Sequence, residues 1–490
     1  MAFGFRVEPL DRNPAEAVAI VPGQPNDSEI IKRLLSTDDS LRMPPTNSGK
    51  KITPAQIELL KRWIADGAEY QGHWAFIPPI RPAVPVRPMA DGRKPMADIP
   101  NPIDQFILAR LDQVGLKPFP EADRVTLIRR VTLDLTGVPP TPTEVDAFLA
   151  DLSANAYEKV VDRLLKSPRY GEHMGRQWLD YARYADSNGF QVDSSRYQWP
   201  WRDWVINAFN NNMPFDQFTI EQLAGDLLPN ATQDQIVATG FLRNSMVNEE
   251  GGVDPEQFRT DSLIDRMDAI GKSVLGITIQ CAQCHDHKYD PLTQQDYYAL
   301  LDAFNRVSET GTPTTYSKRI RVAPPVIELP SVEQQARLAE LKAAQDALEA
   351  EATPLIDALY ATWKKGLFAD GQPADAEGLS RNLTPLLRKP ESERTPQEND
   401  RIERGLRAHF DGNVRKDAVK DLPLVVRYEE ARRAHEDYSK DRVPRVMVMS
   451  DDKPRETRLP DRGDYLSPKG DVIGFAPPAF LPPDRKSTRL

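Results

Sequence analysis

The apolar residues of the chain recur mostly with the period of an α-helix. Between residues 102 and 310 they fall three or four positions apart, as in Ile103, Phe106, Ile107 and Leu111, and Gly or Pro residues divide the pattern into successive segments. Such spacing puts the apolar side chains on one face of each helix. The pattern predicts a mainly α protein whose largest part is a multi-helix domain over residues 102–310.

The first 76 residues form a separate segment that ends in a well-signalled helix. Thr53 suits the N-cap, Pro54 the first helical position and Gly67 the end. Residues 77–101 are rich in proline and show no sustained period, which predicts a linker with polyproline character. We therefore expect a domain boundary in this stretch.

The charged region over residues 331–440 has a different pattern. Its apolar positions Leu338, Leu341 and Leu348 predict a long amphipathic helix, and a second charged helix follows Pro396. We expect a charged helical hairpin; the alternative is a solvated charged spacer.

The last region, residues 443–490, changes character again. Short strands are predicted at 446–449 and 462–466, between turns. We expect a small, truncated β region, the start of a further domain.

Composition and charge exclude two classes of partner. The 490 residues contain 63 Lys and Arg against 73 Asp and Glu, a net charge of −10. Nucleic-acid binding requires clustered basic side chains, so we expect no nucleic-acid partner. No apolar run reaches the eighteen or so residues of a membrane helix, so we expect no membrane span in this chain.

The two cysteines of the chain lie together in the sequence Cys281-Ala282-Gln283-Cys284-His285. This CxxCH pattern is typical of covalent haem c attachment, in which two thiols add to the haem vinyl groups and the adjacent histidine becomes the proximal iron ligand. We therefore predict haem c as the cofactor, held by Cys281 and Cys284 with His285 on the iron.

Other interpretations of the cysteine pair stay open. A zinc site would need four ligands, of which Cys281, Cys284 and His287 supply three. A thioredoxin-like dithiol would need alternating βα units, and a buried pair of unreacted thiols is the plainest alternative.

A six-coordinate haem also needs a ligand on its distal side, usually Met or His. Met246 lies in a turn-rich stretch before a helix start and is our first choice, with His173 second. His287 is a further alternative, although it is only two residues from His285. The alternative for Met246 is that its side chain packs in the hydrophobic core. A five-coordinate iron would favour a haem-dependent oxidoreductase over an electron relay.

Two further stretches suggest an alternative function. Residues 248–256 hold four carboxylates in a Gly-containing turn, which either caps a helix starting at Pro255 or binds Ca²⁺. A Trp-rich stretch around Trp199, Trp201 and Trp204 would either lie in the core or wall a haem or saccharide pocket. The alternative is thus a carbohydrate-associated or metal-stabilised binding module in which CxxCH is structural.

Several of these stretches together resemble a known family. Residues 102–310 resemble the domain of unknown function found beside a cytochrome c domain in planctomycete-type, secreted proteins. The segments that carry the resemblance are Leu133–Pro140, Tyr184–Asp186, Trp201–Ile206, Asn248–Gly252 and Cys281–Pro291. The resemblance implies a haem protein of the periplasm or the extracellular space, with a redox partner protein and a role in electron transfer.

The resemblance extends to both ends of the chain. The first 76 residues look like the C-terminal part of the neighbouring cytochrome c domain, with Met43 in the loop that supplies its axial ligand. That domain's own CxxCH would precede Met1, and residues 443–490 look like the start of the second unknown-function domain. We therefore expect both ends to be truncated, with a signal peptide lost at the N-terminus.

Overall fold

The computed structural model describes five parts of the chain: residues 19–69, 74–85, 101–315, 320–367 and 383–481. Most of these residues are helical and the strands are short, so the prediction of a mainly α fold with a small β region is confirmed. No described helix combines the length and apolar character needed to cross a membrane. Most of the predicted linker and the chain end after residue 481 lie outside the described residues.

The chain divides into two units, of which the first comprises residues 1–120 and 480–490. Its helices are α1 (Glu29–Leu35), α2 (Pro54–Ala65) and α3 (Pro102–Gln113). Ile31 of α1 and Ile64 of α2 are buried in one small cluster. Thr53 caps α2 as predicted: its hydroxyl accepts from the backbone N–H of Gln56, whose side chain accepts in return from the Thr53 N–H.

The second unit, residues 121–479, begins with the helices that surround the cysteine pair. They are α4 (Arg124–Thr136), α5 (Pro142–Ala150), α6 (Ala156–Leu165), α7 (Pro168–Tyr181), α8 (Trp199–Asn210), α9 (Phe215–Ala224), α10 (Gln233–Ala238), α11 (Pro255–Ile270) and α12 (Gln294–Asp302). A 3₁₀ turn at Thr239–Arg243 continues α10, and a π turn at Gly271–Leu275 continues α11.

The Trp-rich stretch lies mostly in the core of this unit, although Trp199 at its start is 36% exposed. Trp178, Trp201 and Trp204 are all buried. Trp178 stacks on Phe241 with 5.6 Å between ring centroids, and Trp204 stacks on Phe218 at 5.3 Å. These rings stabilise the contacts among α7, α8 and α9. They do not form an open wall for a ligand.

Three two-stranded antiparallel sheets complete the second unit. Their strands are β1 (Thr314–Thr315), β2 (Arg321–Val322), β3 (Val326–Glu328), β4 (Arg445–Met447), β5 (Thr457–Pro460) and β6 (Pro468–Ile473), paired in that order. The strand predicted at 462–466 is wrong. Arg462 and Gly463 have φ angles of 51° and 82°, so this segment is the turn that joins β5 to β6.

A long helical excursion lies between β3 and β4. It contains α13 (Val332–Leu367), α14 (Thr384–Arg388), α15 (Pro396–His409), α16 (Arg415–Ala418) and α17 (Pro423–Arg442). α13 packs along α17, and Ile356, Leu406, Phe410 and Val425 are buried in a cluster of their own. The charged region is therefore a packed helical structure with a core, not a solvated spacer.

A buried ion cluster fixes α11 against its neighbours. Glu309 accepts from Arg243, at the end of the 239–243 turn, and from Arg266 of α11, whose Nη2 lies 2.9 Å from Glu309 Oε2. Arg266 Nε also donates to the Leu242 carbonyl at 2.8 Å. Arg243 Nη2 donates to the Ala323 carbonyl at 3.1 Å. Four segments that are distant in sequence are thus joined at one carboxylate.

Replacing this carboxylate, as in Glu309→Gln, should destabilise the protein strongly. Two buried guanidinium groups would lose their counter-charge, which costs about 3 kcal/mol in the free energy of unfolding. Burial raises the pKa of Glu309, but Arg266 and Arg243 outweigh it and lower the pKa to about 2. Because the folded pKa is lowered, this stabilisation is complete above the ordinary carboxyl pKa and is lost as the pH falls toward 2.

Urea unfolding of the wild type and the variant at several pH values provides the measurement. The difference in free energy should be largest near neutral pH and should shrink between pH 5 and pH 2. Glu333→Gln, at an exposed position of α13, is the matched control. An equal loss of stability in the two variants would contradict the role of the buried cluster.

Candidate functional site

The CxxCH segment lies on a short 3₁₀ turn, Ile279–Gln283, with Cys284 as the residue that follows it. A 3₁₀ turn has three residues per turn, so side chains three positions apart lie in one row. Ile279 and Ala282 form the buried row. Cys281 and Cys284 form another row, and both are exposed and free. Both thiols are therefore presented on the same side of the turn.

Two contacts hold the turn in place. At its start, the π turn packs closely against Ile279. A Cβ on Gly271 would lie only 2.7 Å from Ile279 Cγ1, so a residue with a side chain at position 271 would force the two turns apart. At its end, the Gln283 carbonyl accepts from Gln294 Nε2 at 2.9 Å and from the Tyr298 hydroxyl at 3.1 Å. The cysteine pair is thus fastened to α11 and α12.

His285 is exposed, and one of its ring nitrogens lies against a backbone carbonyl. Nδ1 lies 2.7 Å from the carbonyl oxygen of Asp286. A carbonyl only accepts, so this contact is a hydrogen bond when Nδ1 carries a proton, and in the neutral ring that leaves Nε2 with its lone pair. Histidines that bind metals commonly donate their second ring N–H in this way. The geometry is therefore compatible with Nε2 as an iron ligand.

His287 has a different role. Its side chain is almost completely buried, and Nδ1 accepts from the backbone N–H groups of Asp290 at 2.8 Å and Tyr289 at 3.3 Å. His287 N also donates to the Leu292 carbonyl at 2.8 Å. It therefore organises the loop between Cys284 and α12. In the described part of the chain, no three His, Cys, Asp or Glu side chains form a group able to hold a metal ion, so the zinc alternative has no support.

A groove of about 500 Å³ adjoins the cysteine turn. It is walled by α11, α12 and the β5–β6 hairpin, and Tyr298 and Gly463 are among its lining residues. A Cβ on Gly463 would lie 2.9 Å from Cys284 Sγ, so the hairpin backbone covers one side of this thiol. Burial raises the pKa of Tyr298, and the neighbouring Cys284 raises it further. Tyr298 and Gly463 connect this groove to the cysteine turn, whereas Cys281, Cys284 and His285 are not among its lining residues.

The structure does not bring Met246 into this groove. Met246 is exposed and lines a second groove, where a Cβ on Gly189 would lie 2.7 Å from its Sδ. α11 contributes Phe258 and Asp265 to the second groove, but Glu256 and Thr260 to the one beside the cysteines. At about 100° per residue these pairs lie on opposite faces of the helix. Met246 as distal ligand stays a prediction, and this placement argues against it.

The remaining candidate ligands lie elsewhere. His173 is on α7, half-buried, and a Cβ on Gly137 would lie 2.4 Å from its Nδ1. Met43 lies in the first unit, in the loop between α1 and α2, where its side chain is exposed and its N–H donates to the Arg33 carbonyl at 3.0 Å. Its role as an axial ligand also stays a prediction.

The acidic turn at 248–256 consists of carboxylates with separate structural partners. Asp254 caps α11, accepting from the Glu256 N–H at 3.0 Å. Glu256 pairs with Arg259 at 2.6 Å, and Glu249 pairs with Arg321 at 3.3 Å. The capping interpretation is correct for Asp254. The Ca²⁺ alternative has no support, since these carboxylates do not converge.

The fold and the exposed turn define a mainly helical protein with a haem-attachment motif, and comparison with known families agrees. The family described as Planctomycete cytochrome C matches residues 4–47, and the family described as a protein of unknown function, DUF1549, matches residues 102–309. Together these two matches agree with the predicted planctomycete cytochrome c-associated family, so that prediction is confirmed. No curated protein and no solved structure matches the chain.

Gly463 and Tyr298 are the residues of this site that sequence analysis missed. Gly463 follows Cys284 by 463 − 284 = 179 positions, and no local signal joins the two. Tyr298 reads as an ordinary helix residue, because its hydroxyl reaches the Gln283 carbonyl only once α12 has packed. Both contacts depend on tertiary structure.

The contact between Gly463 and Cys284 predicts unequal thiol reactivity in the reduced, haem-free protein. Both cysteines should react with iodoacetamide without denaturation, and Cys284 should react several-fold more slowly because the hairpin covers one of its sides. Peptide mapping by mass spectrometry over a time course measures the two rates. In Gly463→Ala the added Cβ would lie 2.9 Å from Cys284 Sγ, so the hairpin must move away from the thiol. The reaction of Cys284 with iodoacetamide should then be faster than in the wild type.

Cys281 is the internal control for this experiment, since its rate should not change in Gly463→Ala. If both cysteines react at one rate in the wild type, or if Gly463→Ala leaves the Cys284 rate unchanged, the hairpin does not cover the thiol.

Proposed function

We propose that this protein is a c-type haem protein of extracytoplasmic electron transfer. In this proposal Cys281 and Cys284 form the thioether links and His285 is the proximal ligand. The bound haem would supply a reversible iron(III)/iron(II) couple. The match to a cytochrome c family supports the haem assignment in general terms.

The position of His285 directly after two exposed thiols is the observation that carries the proposal. These are the donors that covalent haem attachment needs, and a bond from Nδ1–H to the Asp286 carbonyl would leave Nε2 free for the iron. A structural thiol pair would instead be buried. The residues present therefore fit haem c better than the alternative binding module, since Trp201 and Trp204 are buried.

The neighbouring residues would hold the cysteine turn in a fixed position for the haem. The buried row of Ile279 and Ala282 anchors the turn, while the Gln283 carbonyl is held by α12. Because the exposed row points away from this anchor, a maturation enzyme could reach both thiols. Haem attachment of this kind takes place outside the cytoplasm, so we place the protein in the periplasm or the extracellular space, with a redox protein as its partner.

Covalent haem provides the direct test. The full chain, exported in a host with a cytochrome c maturation system, should retain haem in a denaturing gel and show a reduced α-band. Cys281→Ser/Cys284→Ser should lose the covalent haem completely, because no thioether can form. Haem staining and the pyridine haemochrome spectrum measure the result.

The proximal ligand needs its own variant and control. His285→Ala should keep covalent haem or carry less of it, and it should lose the low-spin spectrum of a His-ligated iron. The control variant His435→Ala, on α17, should match the wild type. Absence of haem in the exported wild type would overturn the proposal. An unaltered spectrum in His285→Ala would remove His285 as the ligand.

The distal assignment is tested by Met246→Ala. Since Met246 lies in the groove on the opposite face of α11, we expect the spectrum and the potential of the haem protein to stay unchanged. Loss of a sulfur-to-iron charge-transfer band near the far red would instead restore Met246 as the ligand. Absorption spectroscopy of the oxidised protein distinguishes these outcomes.

A further inference from the structure

The haem proposal leaves the second groove, on the other face of α11, without a role. It has a volume of about 520 Å³, within the range of about 300–1,000 Å³ that is typical of small-molecule sites. Its walls are α11, the loop over residues 183–196 and residues 244–246. We call it the α11 cavity.

The segments that carry the family resemblance build this cavity. Ala185 and Arg183 lie in its wall, at or beside the Tyr184–Asp186 segment. Glu249, from the Asn248–Gly252 segment, holds the loop: its Oε1 accepts from Asn188 Nδ2 at 2.9 Å and from the Ser194 N–H at 3.0 Å. The buried Glu249 therefore positions the loop as a wall.

Three lining residues have a backbone conformation that side chains disfavour. Arg183, Phe190 and Asp193 have φ angles of 58°, 55° and 48°. Such residues persist only where the surrounding structure holds them, and they cluster at ligand sites. Phe190 is the most unusual of them, because a bulky aromatic residue rarely adopts a positive φ angle.

Two buried polar side chains in the wall have unused hydrogen-bonding capacity. Arg196 is only 3% exposed and donates to the carbonyls of Ala185, Asn244 and Ser245, which uses three of its five N–H groups. Asn244 is also 3% exposed, and its Oδ1 has no partner among the described residues. These buried groups brace the wall from inside, and the accessible polar side chains that face the groove are those of Ser187, Asp261 and Ser262.

An apolar surface faces these polar groups. Phe190 and Phe258 meet edge to face with 5.6 Å between ring centroids, and Met246 packs against Gly189 beside them. Phe190 remains 40% exposed, so the ring is available for contact with a ligand.

The charges of the lining nearly cancel. Arg183 pairs with Asp265 at 3.3 Å, and the lining also holds Arg196, Asp193 and Asp261, so two cations stand against three carboxylates. The lining has no strong net charge that would attract a highly charged ligand. Its hydrogen-bond donors and acceptors suit a ligand that carries both. Ligand hydroxyls both donate and accept, and the C–H faces of a sugar ring pack against aromatic rings. We propose that the α11 cavity binds a neutral saccharide.

The test uses the full chain and a panel of neutral trisaccharides with gluco, xylo, manno and galacto configurations. A glucuronate trisaccharide and adenosine monophosphate represent the competing charged classes. Saturation-transfer NMR should detect one or more neutral members, and calorimetry should give one site per chain. Phe190→Gly should weaken binding at least tenfold without lowering the melting temperature, because glycine suits the positive φ.

Asp261→Ala removes an exposed acceptor and should also weaken binding at least tenfold. Phe215→Ala, an exposed aromatic at the start of α9, is the control and should bind like the wild type. Binding of no neutral trisaccharide, binding of charged members alone, or wild-type affinity in Phe190→Gly would each overturn the proposal. The measurement needs no haem, so its outcome is separate from that of the electron-transfer proposal.

Discussion

The buried contact of Glu309 with Arg243 and Arg266 is the interaction on which the arrangement of the second unit depends. Burying three charges is costly, and it is tolerated only because each guanidinium also donates to backbone carbonyls. The contact holds α11 against the 239–243 turn and against the chain after α12. Both grooves use α11 as a wall, so the geometry of each depends on this one carboxylate.

The two grooves give α11 two different roles. One face, with Glu256 and Thr260, turns toward the groove beside the cysteines, and the other, with Phe258 and Asp265, turns toward the α11 cavity. A helix with its side chains is about 10–12 Å across. A haem at the cysteine turn and a ligand in the cavity would therefore be near neighbours without sharing a residue of the helix.

Features that are encoded by neighbouring residues could be predicted from the sequence, and features built from distant segments could not. The α2 helix and the CxxCH motif could be predicted, because Thr53 with Pro54, and Cys281 with its neighbours, carry their signals within a few residues. The α11 cavity could not, since its walls come from separate segments and a left-handed Phe190 has no sequence signature. The strand expected at 462–466 failed for a similar reason: Arg462 adopts a positive φ in the hairpin turn.

The pairing of β3 with β4 has a consequence for how this chain can vary. The helical excursion leaves the body after Glu328 and returns at Arg445, and these two residues face each other in one antiparallel ladder, joined by an ion pair of 2.7 Å. Facing residues in such a ladder lie about 5 Å apart. A tight turn could bridge that gap as well as the hundred or so residues of the excursion do. The excursion is thus an appendage with its own core, free to lengthen, shrink or be exchanged while the haem-motif body keeps its shape.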